Sequence, residues 1–307
     1  MPVSTHLQVS VVMCTYNGAT YLAEQLLSIL RQSWPIYELV VVDDASTDAT
    51  FSILEAFAQQ HACIRLFRNQ QQLGYNKNFE RALTLATGEV LAIADQDDIW
   101  HPQKIERMLQ AWPEGSPLIY CDSIRFWGEV PKKPRPGHLM NRVWGTDPRP
   151  LAIYNTVCGH ALILRRSLLS LALPFDKDIY YDWWLALVAT CNGGVTYFPE
   201  ILVYQRQHQH NASLPLNVTK AAAYARDRKM ILHNLSRFVD TPNIKEEDRK
   251  FFERLRQLWQ QSMEGKSGPA LLAFLLRYRS HIYASKKRKL AIFSQLKRSL
   301  RYAFVKG

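Results

Sequence analysis

The chain has 307 residues, 47% of them hydrophobic and 21% charged, which supports a large core and excludes a disordered composition. Its formal net charge of +11 sits in the tail: eleven Lys and Arg lie between Lys266 and Lys306, no Asp or Glu follows Glu264, and the other 27 basic residues balance the 27 acidic ones. A neutral body with a basic tail argues against a nucleic-acid-binding face and for an attachment device.

In chain order, Val9 to Cys14 reads as a buried strand ending in the turn signal Thr15-Tyr16-Asn17-Gly18, and Tyr21 to Gln32 has apolar residues at helical spacing. A second strand at Glu38 to Val42 stops at Asp43-Asp44-Ala45-Ser46-Thr47-Asp48, where Ser46 or Thr47 can cap a helix over Thr50 to Gln60. Ile64 to Phe67 is a third strand, Lys77 to Ala86 a helix, and Val90 to Ala94 a fourth strand that runs directly into Asp95-Gln96-Asp97-Asp98, with a helix beginning near Pro102. Strand and helix alternate with short connections, as in a mostly parallel, Rossmann-like α/β sheet covered on both faces. Ligands of such sheets bind beyond the carboxyl ends of the strands, where three polar clusters fall here.

From Trp112 to Pro150 the chain is rich in Pro, Lys and Arg, with a strand around Leu118 to Cys121 and an irregular loop at Pro131 to Pro136. Val157 to Leu164 reads as a strand, Tyr181 to Thr190 as a helix, and Val195 to Phe198 and Ile201 to Tyr204 as two short strands. From about Leu216 the pattern is helical to the end. The five cysteines are scattered without a CxxC pair, so a reducing compartment is expected and no zinc or disulfide framework. Met1 to Gln8 lacks the features of a cleavable signal, and no segment reaches the ~18–20 apolar residues needed to span a bilayer. A cytoplasmic location follows as an expectation.

Clustered carboxylates repel unless a cation or a shifted proton offsets them, and they suit a hard divalent ion such as Mg²⁺ or Mn²⁺. An acidic solvated turn that caps the next helix is the plain alternative for Asp95 to Asp98, as an Asx turn is for Asp43-Asp44.

Ser10 to Gly18, Leu39 to Asp48 and Gly88 to Trp100, in this order and spacing, resemble family 2 glycosyltransferases of the GT-A fold. Gly159-His160-Ala161, Tyr181-Asp182-Trp183-Trp184 and Tyr204-Gln205-Arg206-Gln207-His208 resemble a bacterial rhamnosyltransferase-like subgroup. The resemblance covers residues 9–213. It implies a catalytic domain over 1–213, with a nucleotide-sugar half to about 110 and an acceptor half over 111–213, followed by a helical basic region over 214–307.

The resemblance also implies roles. Thr15 and Tyr16 line the nucleobase pocket, Asp44 hydrogen-bonds the base, and Asn17 and Gln96 belong to the nucleotide-sugar site. Lys77 stands where relatives carry Arg and contacts base, ribose or diphosphate, and Arg206 contacts diphosphate. Asp95 and Asp97 match the DxD motif: Asp97 is the main metal ligand, Asp95 a shared metal or ribose contact, and His208, in preference to His210, completes the metal shell. Asp182 is the candidate general base of an inverting transfer, with a plain helix-start carboxylate as its rival. Trp183 and Trp184 either stack on a sugar or belong to the core.

The expected partners are a dTDP- or UDP-sugar donor and a saccharide or lipid-linked saccharide acceptor, with no nucleic acid. The alternatives are a catalytically inactive nucleotide-binding scaffold and a nucleotidyltransferase, which should show a Gly-rich basic loop in place of Thr15-Tyr16-Asn17-Gly18. The tail, with Lys286-Lys287-Arg288-Lys289 ahead of apolar residues at helical spacing, reads as a helix on an anionic membrane surface. Packing on the catalytic domain and RNA binding are the other readings. Asn211-Ala212-Ser213 matches a glycosylation sequon that a cytosolic chain would not use.

Overall fold

The computed structural model describes residues 7–134, 141–209, 219–285 and 291–305. Lys286 to Lys289, His210 and the Asn211 sequon lie outside these residues. Strands β1 (Val9–Thr15), β2 (Glu38–Asp43), β3 (Ile64–Arg68) and β4 (Val90–Ala94) alternate with helices α1 (Ala19–Leu30), α2 (Thr50–Gln60) and α3 (Tyr75–Leu85). There follow β5 (Ile99–Trp100), α4 (Lys104–Ala111), β6 (Leu118–Phe126), β7 (Leu162–Arg165), α5 (Leu169–Ala172), α6 (Tyr181–Cys191) and β8 (Val195–Arg206). The remainder is α7 (Lys220–Phe238), α8 (Glu246–Met263), α9 (Gly268–Arg277), α10 (Arg279–Ile282) and α11 (Ala291–Phe304).

The strands form one sheet in the order β3-β2-β1-β4-β7-β6-β8-β5. β1 pairs in parallel with β2 and β4, and β2 with β3. β7 runs antiparallel between β4 and β6, and β8 is parallel to β6. The period of two along the strands divides the core. Val12, Val40 and Ile93 face α3, α6 and the C-terminal helices, whereas Val11, Met13, Val41 and Ala92 face α1, α2 and α4. Both faces are buried, so β1, β2 and β4 are almost continuously apolar. The chain winds outward from β1 through β2 to β3, then returns to the other side of β1 as β4. The crevice at this reversal is where such sheets bind ligands.

Three details differ from the sequence-based expectation. The two short strands after Gly194 are one strand, β8, whose register with β6 shifts near Pro199, a residue with no N–H for the ladder. Residues 157–161 are not strand but a loop and a 3-10 turn over Gly159–Ala161, so β7 begins at Leu162. Neither Ser46 nor Thr47 caps α2; the Asp48 carboxylate accepts from Thr50 N at 2.9 Å, while Ser46 is engaged by Asp43.

α6 is apolar all round and buries nine of its eleven residues, the condition of a helix inside the core. Its two tryptophans are core residues. Trp183 donates to Leu151 O at 2.7 Å and Trp184 to Ala172 O at 2.8 Å, so neither ring is free to stack on a sugar. Helices α7 to α9 share this core, with Phe238, Phe252 and Leu271 in the same cluster as Trp183 and Val12. No described helix is long and apolar enough to cross a membrane.

Candidate active site

At the ends of β1 and β2, short polar side chains organise the backbone. Asp43 accepts from Thr15 Oγ1 at 2.9 Å and from the hydroxyl and N–H of Ser46 at 2.5 and 2.9 Å, and it is fully buried. Asp44 accepts from Asn69 Nδ2 at 2.5 Å and from the N–H groups of Leu73 and Gly74 at 2.8 and 2.9 Å, folding the loop before α3 onto the strand end. Asn17 adopts φ +47°, which Asn tolerates, and its Oδ1 takes the N–H of Thr47 at 2.8 Å. Gln96 clamps Tyr16 from both sides, accepting from its N–H at 2.9 Å and donating to its carbonyl at 3.1 Å. The half-exposed ring of Tyr16 is left standing at the mouth of the crevice.

The acidic turn after β4 divides its carboxylates among three environments. Asp98 is buried; Oδ1 accepts from Arg206 N at 3.2 Å, Oδ2 has no hydrogen-bond partner among the described residues, and His160 Nδ1 stands 3.9 Å from Oδ2. Asp95 lies nearer the surface, 3.6 Å from the same His160 nitrogen. Asp97 meets His208 Nε2 at 2.7 Å, with the His208 ring against Tyr21 at 4.8 Å between centroids.

The electrostatics follow from this geometry. Burial, with the charge of Asp95, raises the pKa of Asp97. Burial raises that of Asp98 too; His160 opposes the rise, and Asp95 and Asp97 reinforce it. Burial works against an imidazolium at His160, but Asp98 and Asp95 outweigh it and draw the pKa up. Beneath this group Lys104 is fully buried, donating to His160 O at 2.9 Å and lying 3.4 Å from the Trp100 ring centroid. Burial brings its pKa down to about 7.

Arg206 braces the turn. Its guanidinium pairs with Glu24, donates through Nε to Asp97 O at 3.2 Å, and lies between the rings of Tyr21 and Phe126 at 4.7 and 4.8 Å. Lys77 is placed elsewhere. Its ammonium pairs with Glu80 at 3.0 Å and donates to Phe175 O at 3.0 Å, and among the described residues it makes no contact with the acidic turn.

Asp182 enters from α6, in the first turn of the helix. Its Oδ1 accepts from Trp183 N at 2.7 Å and Oδ2 from Gly159 N at 3.1 Å. Burial pushes its carboxyl pKa up to about 6; those two N–H groups and His160 pull against the rise, and Asp95 adds to it. Gly159 has no room for a side chain, since a Cβ there would meet the Tyr181 hydroxyl at 2.1 Å. Tyr75 reaches the same region. Its ring packs against Phe79 and Tyr181 at 5.2 Å, and burial, then the charges of Asp95 and Asp182, drive its phenol pKa well above normal.

The fold thus brings Thr15, Tyr16, Asn17, Asp44, Gln96, Asp95, Asp97, Arg206, His208 and Asp182 to one end of the sheet. His160, Tyr75, Lys104 and Glu24 join them without having been singled out from sequence. Only His160 carried a signal, as part of Gly159-His160-Ala161.

Two donor sets suit a hard or borderline divalent ion: Asp95, Asp98 and His160, whose ligand atoms lie within 4.8 Å of one another, and the Asp97–His208 pair. The fit rests on the unpartnered Asp98 Oδ2 and on carboxylates whose pKa values are raised by burial and mutual repulsion, a cost that a cation would relieve.

Residues 10–171 match the model of glycosyl transferase family 2. The chain is 27% identical over 220 residues to an uncharacterized glycosyltransferase of Haemophilus influenzae, covering 68% of each protein. It is 30% identical over 171 residues to the putative glycosyltransferase EpsE of Bacillus subtilis, covering 52% of this chain and 62% of that one. It is 33% identical over 215 residues to the uncharacterized glycosyltransferase alr2836 of Nostoc sp., covering 67% and 66%. The chain therefore spans 62–68% of the length of these relatives. Among solved structures, S. aureus TarS 1-349 in complex with UDP-GlcNAc superposes with a TM-score of 0.61 at 18% identity, over 97% of this chain and 90% of that one. The mannosyltransferase PcManGT of Pyrobaculum calidifontis, in complex with GDP-Man and Mn²⁺, gives 0.55 at 18% identity, over 99% and 89%. These likenesses show a GT-A-type transferase fold with C-terminal helices.

Proposed function

The chain belongs to glycosyl transferase family 2, and on that premise we propose that it is an inverting, divalent-metal-dependent hexosyl- or rhamnosyltransferase. In this reading it moves a sugar from a UDP- or dTDP-sugar to a saccharide or glycolipid acceptor in cell-surface polysaccharide synthesis. The observation that carries the reading is the position of Asp182. It is a carboxylate with its pKa raised to about 6, held by two N–H groups beside the acidic turn and belonging to a different half of the chain. That the solved neighbours hold UDP-GlcNAc or GDP-Man with Mn²⁺ supports a nucleoside diphosphate sugar as donor.

The nucleotide lies along the ends of β1 and β2, against Thr15, Tyr16 and Asn17, with Asp44 and Arg206 contributing to base, ribose or diphosphate contacts. Asp97 and His208, with Asp95, would hold Mn²⁺ or Mg²⁺, and the bound ion would supply charge neutralisation for the departing diphosphate. Gln96 keeps Tyr16 in place. Asp182 takes the proton of the acceptor hydroxyl as its oxygen bonds to the anomeric carbon; the bond from that carbon to the diphosphate breaks, and the nucleoside diphosphate leaves. Attack from the side opposite the leaving group inverts the anomeric centre. Lipid-linked acceptors are presented at the cytoplasmic face of the inner membrane, and peripheral attachment there through the basic C-terminal region goes with this reading.

The test is a donor screen by thermal shift with Mn²⁺ present, followed by assay of nucleoside diphosphate release from each stabilising donor. Stabilisation with metal-dependent release is the expected result. Nucleotide binding with no turnover of any donor, with or without acceptors, would favour a scaffold.

A further inference from the structure

We infer that α11 is a docking face for an anionic lipid bilayer, with a cationic recess at its edge that takes a lipid phosphate. The inference rests on the reading above only for the reason to approach a membrane. Its physical basis is the way α11 is packed. One side of the helix is committed to the protein: Ser299 and Ala303 are buried, Ser299 Oγ and Tyr283 OH lie 2.9 Å apart, and the Tyr154 and Tyr302 hydroxyls 3.1 Å apart. Its C-terminal carbonyls are also engaged: Tyr224 donates to Arg301 O at 2.8 Å, Ser262 to Ala303 O at 3.0 Å, and the buried Arg228 to Val305 O at 2.6 Å. These contacts hold the helix in one orientation, and the Phe304 ring adds to them by packing over Gly268.

That outer face is apolar. Ile292 is 67% exposed, Phe293 71%, Leu296 37%, Leu300 41% and Phe304 53%. The spacing places Phe293, Leu296, Leu300 and Phe304 in one stripe along the helix. Five large apolar side chains turned outward on a helix already anchored by its other side form a patch that water alone does not explain.

Charge selects the occupant. Lys297 and Arg301 are exposed beside the stripe, and the sequence holds no acidic residue after Glu264. A recess of about 380 Å³ opens between α7 and α11, lined by Lys220, Arg298, Arg301, Tyr154, Tyr224 and Asp227. Among the described residues its three cations have no carboxylate within 4 Å, while Asp227 faces Arg226 at 3.6 Å. Cations backed by tyrosine hydroxyls form a phosphate-binding set, and an apolar stripe bordered by such cations is the pattern of a helix lying in an anionic bilayer interface.

The experiment is co-sedimentation of the full chain with phosphatidylglycerol-containing vesicles and with pure phosphatidylcholine vesicles. The parent should bind the anionic vesicles and leave the neutral ones. The double variant Phe293→Glu with Leu300→Glu, both at exposed positions, should lose at least about tenfold in partitioning with its melting temperature unchanged. The Lys220→Gln, Arg298→Gln variant should lose the preference for anionic lipid. Failure of the parent to bind anionic vesicles, or equal binding by the stripe variant, overturns the inference. So does light scattering that shows the stripe joining two copies in place of vesicle binding. Release of nucleoside diphosphate from free donor, measured on the same samples, separates the two proposals. Vesicle binding without any donor turnover leaves the docking face standing and removes the enzymatic reading; turnover without vesicle binding does the reverse.

Discussion

Replacing Asp182 by Asn tests the proposed base, because the change removes a charge and little volume. Asn keeps one acceptor oxygen, so it can still serve Trp183 N or Gly159 N, but its amide NH₂ then faces the other N–H. Leaving that N–H unpaired costs about 1–3 kcal/mol of stability, so the assay belongs well below the melting temperature. A positioned general base contributes roughly 10²–10⁴ to the rate, and a loss of that size in kcat is expected, with donor binding retained. The pH profile carries a second, independent signature. With the carboxyl pKa raised to about 6, the parent should be about 90% in its basic form at pH 7 and about 10% at pH 5. Its kcat should therefore fall about tenfold across that window, and the slope should vanish in the Asn variant. The measurements are single-turnover transfer from pH 5 to 8 and calorimetric titration of donor nucleotide with Mn²⁺ present. Transfer by Asp182→Asn within about tenfold of the parent, or a parent profile flat from pH 5 to 7, refutes the assignment.

Asp97→Ala removes the carboxylate paired with His208 and should lower metal-stimulated donor turnover by about 10² or more, read as nucleoside diphosphate release with and without Mn²⁺. Because burial raises the Asp98 carboxyl pKa to about 7, metal binding near pH 6 should release protons; calorimetric enthalpies in two buffers of different ionisation heat should differ, and equal enthalpies would count against it. Glu38 is a structural carboxylate. Burial opposes its charge, but hydrogen bonds from Ser10, Arg65 and Thr87 hold its pKa down to about 2, so its stabilisation is complete above the unfolded value of 4.5 and lost as pH falls towards 2. Glu38→Gln should cost about 1–3 kcal/mol in urea unfolding at pH 7, and less at pH 3. Gly18→Ala would place a Cβ 2.2 Å from Gln96 Oε1, freeing Tyr16 from its clamp; nucleotide affinity should drop while the melting temperature changes little.

The first 110 residues were legible because each buried strand is an apolar run that stops at a polar cluster, and sheet topology then makes those stops neighbours. Thr15, Asp43 and Asp95 needed nothing more to be placed at one edge. The part of the chain that follows hid its logic. His160 reads as part of a strand over Val157 to Leu164, and only the 3-10 turn found there sets its ring against Asp95 and Asp98. Lys104 carries no signal in the sequence, yet it is buried with its ammonium over Trp100. The Trp183-Trp184 pair fits either a sugar platform or the core by composition, and burial of α6 decides for the core. The single strand β8 was obscured by Pro199, which interrupts the apolar pattern and the ladder at the same place.

The two sides of the proposed reaction are held by different means. The sheet fixes the acidic turn, because β4 lies in register against β1 from Val90 to Ala94 and the carboxylates begin at the next residue. Asp182 has no such strand beneath it. Its helix is set by Asn76, at the start of α3, whose Nδ2 donates to Lys177 O and Ile179 O at 2.9 and 2.7 Å and whose Oδ1 accepts from Tyr181 N at 3.2 Å. α3 is in turn placed by the loop that Asp44 gathers at Leu73 and Gly74. Asp44 therefore stands at the head of a chain of contacts from the nucleotide edge, through one amide, to the proposed base. A ligand that drew hydrogen bonds away from Asp44 would loosen the segment carrying Asp182, and one that reinforced them would tighten it. These hydrogen bonds join the ends of β1 and β2 to the segment that carries Asp182.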